Sequence, residues 1–169
     1  DIDRIIGITK AYTTRVGAGP FTAELFDEVG EHLVDVGHEY GTNTGRRRRV
    51  GWLDLVMLSY ATRVNSLTEL AITKLDVLDN LDVIKICVAY EFESQRYDWL
   101  PHHQSVQNQA VPIYEEFPGW KCDLSEVKNR SELPEEAENY LNFIENSLNI
   151  SVDLVGVGPG RHQYFSRQQ

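Results

Sequence analysis

The spacing of hydrophobic residues changes repeatedly along the chain, which is typical of a fold that mixes strands with helices. Short apolar runs predict strands at residues 5–13, 70–73, 83–90 and 152–155, and residues 96–100 are predicted to form a hairpin with the third strand. Apolar residues recur at helical spacing in residues 25–36, 53–64 and 134–148, whereas residues 102–109 are polar and predict a surface loop. We therefore expect an α/β fold in which helices flank a mixed sheet.

Length and charge limit the classes of function. The 169 residues fit one domain of ordinary size, and the formal net charge of -10 disfavours nucleic-acid binding. No apolar run approaches the roughly 20 residues that a membrane helix needs, so we expect no membrane partner. The two cysteines form no CxxC pair or disulfide framework, which favours a reducing, cytoplasmic location.

A run of four arginines, Arg46 to Arg49, is the most unusual local feature of this acidic chain. It lies within the glycine-containing segment 41–52, whose backbone N–H groups and guanidinium groups can close together on carboxylate or phosphate oxygens. The pattern predicts a site for an anionic small molecule. A solvated basic turn paired with nearby acids remains the alternative.

A second candidate site follows a predicted buried strand. Thr73-Lys74-Leu75-Asp76 lies at the carboxyl end of that strand, where open α/β sheets place their ligands. A lysine stem can lie over a purine, and the carboxylate of Asp76 can accept hydrogen bonds from N1–H and the exocyclic amino group of guanine. The motif is short, and a strand end with two solvated charges is the alternative.

Five segments in order resemble the C-terminal part of the adenylosuccinate synthetase family. They are residues 11–21, 41–54, 73–79, 112–120 and 155–161. The resemblance covers essentially the whole chain. It implies that residues 1–169 form a single α/β domain corresponding to the C-terminal part of the family's fold. The family is a ligase of purine biosynthesis that forms a carbon–nitrogen bond between IMP and L-aspartate, using GTP and Mg2+. The resemblance also implies a cytoplasmic homodimer.

The same resemblance implies three sets of binding residues, and we carry them over position by position. The aspartate loop corresponds to Thr42, Asn43, Thr44, Gly45, Arg46, Arg47 and Arg48; IMP contacts to Arg46 and Val16; and GTP contacts to Arg48, Lys74, Leu75, Asp76, Gly156, Val157 and Gly158. Asn43 and Thr22-Ala23 depart from the usual family residues near these sites.

No GxxxxGK[ST] phosphate loop occurs in the 169 residues. In the family, the phosphate loop, the catalytic acid–base pair and the Mg2+ ligands lie in an N-terminal region with no counterpart in this chain. We therefore expect no catalytic or metal-binding residue here, and no turnover by this chain alone. A noncatalytic nucleotide-binding or dimerisation module with the same fold is the alternative function.

Overall fold

The computed structural model describes residues 2–167 as a mixture of short strands and four helices. The strands are β1 (Ile6–Lys10), β2 (Thr13–Arg15), β3 (Arg49–Gly51), β4 (Leu53–Asp54), β5 (Glu69–Thr73), β6 (Val83–Phe92), β7 (Gln95–Tyr97), β8 (Val111–Pro118), β9 (Ser151–Gly156) and β10 (Tyr164–Ser166). The helices are α1 (Glu28–Val36), α2 (Leu55–Val64), α3 (Gln104–Gln109) and α4 (Glu135–Leu148), with short 3-10 turns at Leu75–Leu78 and Arg130–Glu132.

One of two four-stranded mixed sheets places the ends of three strands at one edge. Its order is β1-β5-β9-β10, in which β1, β5 and β9 are parallel and β10 is antiparallel to β9. Lys10 pairs with Thr73 and Ile72 pairs with Val155, so the carboxyl ends of the three parallel strands meet. Open α/β sheets bind their ligands at such an edge.

The other strands form a two-stranded sheet and a second four-stranded sheet. β2 and β3 pair as an antiparallel ribbon, which brings Arg15 opposite Arg49. The long strand β6 pairs in parallel with β4 and in antiparallel with β7 and β8. One hydrophobic cluster connects the sheets with α1 and α4, and buries residues such as Leu33, Ile72 and Tyr140 completely. The predicted α/β class with a mixed sheet is confirmed.

Aspartate side chains begin two of the helices. Asp27 accepts a hydrogen bond from the backbone N–H of Gly30 at 3.0 Å, and Asp54 accepts one from Met57 at 3.0 Å. Each carboxylate satisfies an N–H that a helix leaves unpaired in its first turn. Consequently α1 begins at Glu28 and α2 at Leu55, each later than the hydrophobic spacing alone predicted.

Three sequence-based predictions about local structure were wrong, and some strands were not predicted. The predicted strand 5–13 is divided into β1 and β2, because the chain buries Ala11 and Tyr12 between them. Residues 102–109 were predicted as a loop but contain α3, which buries none of its residues and so has no hydrophobic stripe. β8 and β10 were not predicted, and the hairpin strand β7 ends at Tyr97 rather than at residue 100.

The helices in the described part of the chain are too short or too polar to cross a membrane.

Candidate functional site

The segment before the four arginines folds into a closed loop. Gly41 donates its backbone N–H to the Arg46 carbonyl at 2.8 Å, and Gly45 donates to the Gly41 carbonyl, also at 2.8 Å. Gly45 has a φ of 62°, a left-handed conformation that glycine adopts without a steric cost. The hydroxyl of Thr44 accepts from the backbone N–H of Arg46 at 3.3 Å. Thr42 and Asn43 lie exposed at the tip.

This loop forms one wall of a cavity of about 570 Å³, which we call the arginine pocket. The β2 end and the residues after it form the opposite wall. The lining residues proposed from the sequence are Val16, Thr44, Arg46, Arg47 and Arg48, and Arg15 and Arg49 join them. The structure therefore places Val16 and the arginine run in one pocket.

The four consecutive arginines have different partners. Arg47 forms a bidentate salt bridge with Glu31 on α1, in which both N–O distances are 2.7 Å. Arg49 forms a bidentate salt bridge with Glu24, with N–O distances of 2.7 and 2.5 Å. Arg48 contacts a buried carboxylate, described below. Arg46 is exposed, and within residues 2–167 no carboxylate pairs with it. Among the four arginines, it is therefore the one whose guanidinium has no carboxylate partner in the described residues.

Glu39 is a buried carboxylate that binds three cations and a tyrosine. Its side chain is fully buried, and its oxygens lie 2.8 Å from Lys10 Nζ, 2.8 Å from Lys74 Nζ and 2.8 Å from an Arg48 Nη atom. The Tyr12 hydroxyl donates to Oε1 at 2.5 Å. Burial alone would raise the pKa of Glu39, but these hydrogen bonds outweigh it and lower the pKa to about 2. We call Glu39 with Lys10, Tyr12, Arg48 and Lys74 the Glu39 cluster.

Burial also affects the cation that comes from β1. The pKa of Lys10 is lowered because desolvation disfavours its charged form, although the hydrogen bond to Glu39 opposes that shift. The cluster lies at the sheet edge described above, where β1 ends at Lys10 and β5 is followed by Lys74.

The turn after β5 forms a second cavity, of about 340 Å³. We call it the base pocket, and it is lined by Asp76, Asp79, Asn80, Asp123, Ser125, Val157, Gly158 and Pro159. One oxygen of Asp76, Oδ1, is buried without a hydrogen-bond partner in the described part of the chain. Burial raises the pKa of this carboxyl group. A buried carboxylate oxygen without a donor is costly, and a ligand with N–H groups would satisfy it.

Of the other residues predicted to bind GTP, Arg48 lines the arginine pocket, whereas Lys74, Leu75 and Gly156 are close in sequence to residues that line the base pocket but do not line it. Lys74 has a φ of 60° and turns the chain at the end of β5, and its ammonium group points to Glu39 and the Gly37 carbonyl. Leu75 is fully buried. A Cβ on Gly156 would lie 3.3 Å from the Thr73 Cα, so glycine allows β9 to approach β5 closely. The structure thus places Asp76, Val157 and Gly158 at the base pocket.

A second acid that lines the base pocket, Asp79, connects it to the 120–124 segment. It accepts a hydrogen bond from the Trp120 indole at 2.8 Å and one from the backbone N–H of Leu124 at 3.0 Å. Burial raises the pKa of Asp79 to about 6, although both hydrogen bonds oppose the shift. These contacts hold the 120–124 segment against the turn that carries Asp76.

Sequence reasoning did not identify Glu39, Lys10, Tyr12 or Arg15 as site residues. Arg15 lines the arginine pocket, and its Nε is buried without a partner in residues 2–167. The only local signal for Glu39 is its place directly before the glycine loop. Its two lysine partners lie 29 and 35 residues away along the chain, so no sequence spacing would have revealed the cluster.

In the part of the chain that the structure describes, no group of three or more His, Cys, Asp or Glu side chains is arranged to hold a metal ion.

Comparisons with known proteins agree on one family. The sequence profile of adenylosuccinate synthetase matches residues 1–165. The chain is 48% identical over 162 residues to an adenylosuccinate synthetase of Streptococcus sanguinis, a match that covers 96% of this chain and 38% of that protein. A structure of fully ligated adenylosuccinate synthetase from Plasmodium falciparum superimposes with a TM-score of 0.93 at 40% identity, covering 98% of this chain and 40% of that one. The chain spans about two fifths of the length of these relatives.

Proposed function

This chain belongs to the adenylosuccinate synthetase family, and we propose that it supplies the aspartate loop and the guanine pocket of an enzyme that ligates IMP and L-aspartate at the expense of GTP. The observation that carries this proposal is the buried Oδ1 of Asp76 in the base pocket, which has no hydrogen-bond partner within residues 2–167. Guanine presents two neighbouring N–H donors to such a carboxylate, whereas adenine lacks that pattern. The wrong base would leave the buried oxygen unsatisfied, which gives strong discrimination.

The arginine pocket is proposed to hold the acidic substrate. The guanidinium fork of Arg46, which has no carboxylate partner in residues 2–167, matches the geometry of a carboxylate, and the backbone N–H groups of residues 42–44 lie in the same loop. Arg46 and Val16 are proposed to face IMP, and Arg48 to face GTP. Placed between the IMP and GTP sites, the Arg48 guanidinium would neutralise negative charge that develops during phosphoryl transfer.

In the proposed reaction, GTP phosphorylates the 6-oxygen of IMP and the aspartate amine then displaces the phosphate. This chain's part is to bind and orient GTP and aspartate, because positioning provides much of the rate enhancement in such reactions. Mg2+ would neutralise phosphate charge, and we propose that its ligands and the catalytic acid–base pair lie outside these 169 residues. The proposal includes a homodimer in the cytoplasm.

The test is an activity assay of the full-length protein that contains this chain, with GTP, IMP, L-aspartate and Mg2+. We expect adenylosuccinate to form, and omission of any one substrate or replacement of GTP by ATP to abolish it. A folded full-length protein that binds GTP without making adenylosuccinate would contradict the proposal and favour a noncatalytic nucleotide-binding module. Sedimentation of the same protein tests the homodimer.

A further inference from the structure

Glu39 lies between the two proposed ligand sites and contacts one cation from each. Arg48 lines the arginine pocket, and Lys74 begins the turn that carries Asp76. We propose that Glu39 is a positioning residue that holds Arg48 and Lys74 in one geometry and so connects aspartate binding with guanine binding. The inference rests on the proposed function, because it concerns how that function's two ligand sites are held in place.

The contacts of Lys74 leave its side chain little freedom. Its backbone is in the left-handed region, which is uncommon for a residue with a Cβ, and its ammonium group donates to Glu39 and to the Gly37 carbonyl. With both ends of the side chain held, the direction of the stem and of the following turn is determined. Without Glu39, the ammonium group would lose its only carboxylate partner in residues 2–167.

Arg48 is held at its backbone as well as its side chain. Its N–H donates to the Glu39 carbonyl at 2.8 Å, and its guanidinium donates to Glu39 Oε2 at 2.8 Å. Only one of its Nη atoms is used in this contact. The guanidinium therefore keeps further N–H donors for a ligand while Glu39 determines where they point.

The charge balance of the Glu39 cluster distinguishes it from a simple ion pair. One fully buried carboxylate faces three cations whose side chains remain 24% to 34% exposed. One of these three cations would be enough to neutralise the carboxylate in a purely structural ion pair. The excess positive charge repels itself in the absence of Glu39, so removal of that carboxylate is expected to move both Arg48 and Lys74.

The test is steady-state kinetics of the full-length enzyme with the Glu39→Gln substitution, which preserves the shape and removes the charge. We expect KM for GTP and KM for L-aspartate to rise together, each by about tenfold or more, the size expected when a charged hydrogen bond is lost. Glu39→Asp retains the negative charge on a side chain one methylene shorter, so it should raise both KM values less than Glu39→Gln does. That variant also supplies the measurement if Glu39→Gln does not fold.

The matched control is Glu145→Gln. Glu145 lies on α4, is largely buried, and accepts hydrogen bonds from Arg130 at 3.1 and 2.8 Å and from the backbone N–H of Val152 at 2.6 Å. It contacts neither pocket, so its loss should lower thermal stability and leave both KM values unchanged.

The outcomes separate this inference from the proposed function. If folded Glu39 variants keep wild-type KM values, or if only one of the two constants rises, Glu39 does not connect the two sites. If the Glu145 control raises both constants equally, the effect is only a loss of stability and the inference fails. Absence of adenylosuccinate synthesis by the wild-type protein would instead overturn the proposed function.

Discussion

Asp76 offers the most direct test of how this chain would select its nucleotide. Its Oδ1 is buried without a hydrogen-bond partner in residues 2–167, and burial raises the pKa of the carboxyl group. Guanine would donate N1–H and its amino group to this carboxylate. The Asp76→Asn substitution turns one acceptor into a donor, which would face one of the base's own donors.

The structure allows the magnitude to be estimated. Hydrogen bonds to a charged group contribute about 1.5–3 kcal/mol each, so the loss of one should lower kcat/KM for GTP about 10- to 150-fold. Xanthine carries a carbonyl where guanine carries the amino group, and the asparagine amide can donate to it. We therefore expect the variant to use XTP better than the wild-type enzyme does.

The assay is adenylosuccinate formation by the full-length enzyme with GTP, XTP and ATP as alternative substrates. Asp123→Asn is the matched control, because Asp123 lines the same pocket but is exposed and already accepts a hydrogen bond from the Ser125 N–H at 2.8 Å. The control should keep GTP kinetics close to wild type. Unchanged kcat/KM for GTP in the Asp76→Asn enzyme would refute the reasoning.

Three further predictions follow from the same contacts. Arg46→Lys in the full-length enzyme should raise KM for L-aspartate, because lysine lacks the planar guanidinium that can bind a carboxylate through two N–H groups. The melting temperature should change little, because Arg46 has no carboxylate partner in residues 2–167. Equal KM values for the two enzymes would show that only positive charge matters. Arg49→Lys should lower the melting temperature, because lysine cannot form the bidentate salt bridge with Glu24. Differential scanning calorimetry measures this change. The pKa of Glu39 is lowered to about 2, so the stability that its ionised carboxylate contributes is complete above about pH 4.5 and is lost as the pH falls towards 2. The difference in unfolding free energy between wild type and Glu39→Gln should therefore shrink over that range. A difference that does not change with pH would contradict the assignment.

The prediction for Arg49 differs from the one that the sequence supports. In sequence, Arg49 is one more arginine beyond the ligand-binding positions, and lysine there is expected to be tolerated. The structure instead places its guanidinium on Glu24 and on the Gly17 and Gly19 carbonyls at 3.1 and 2.9 Å. Only tertiary contacts distinguish the four arginines, because all four have the same local chemistry.

Strongly periodic segments were predictable from sequence because their burial follows their local pattern. The buried strands β5 and β6 and the amphipathic helix α4 lie where the hydrophobic spacing predicted them. β8 was missed because its residues are exposed or only partly buried, and two glutamates interrupt its apolar pattern. Its position is decided by pairing with β6.

The chain's sequence by itself indicated an anion site at the arginine run and a guanine-reading acid at Asp76, because both are contiguous motifs. The tertiary structure decided how those motifs are held. Glu39 meets Lys10 and Lys74 together because the parallel strands β1 and β5 end at the same edge of the sheet, while Tyr12 and Arg48 come from the segments after β1 and before β3. A buried charge requires partners from several elements at once, and no local pattern of residues specifies that convergence.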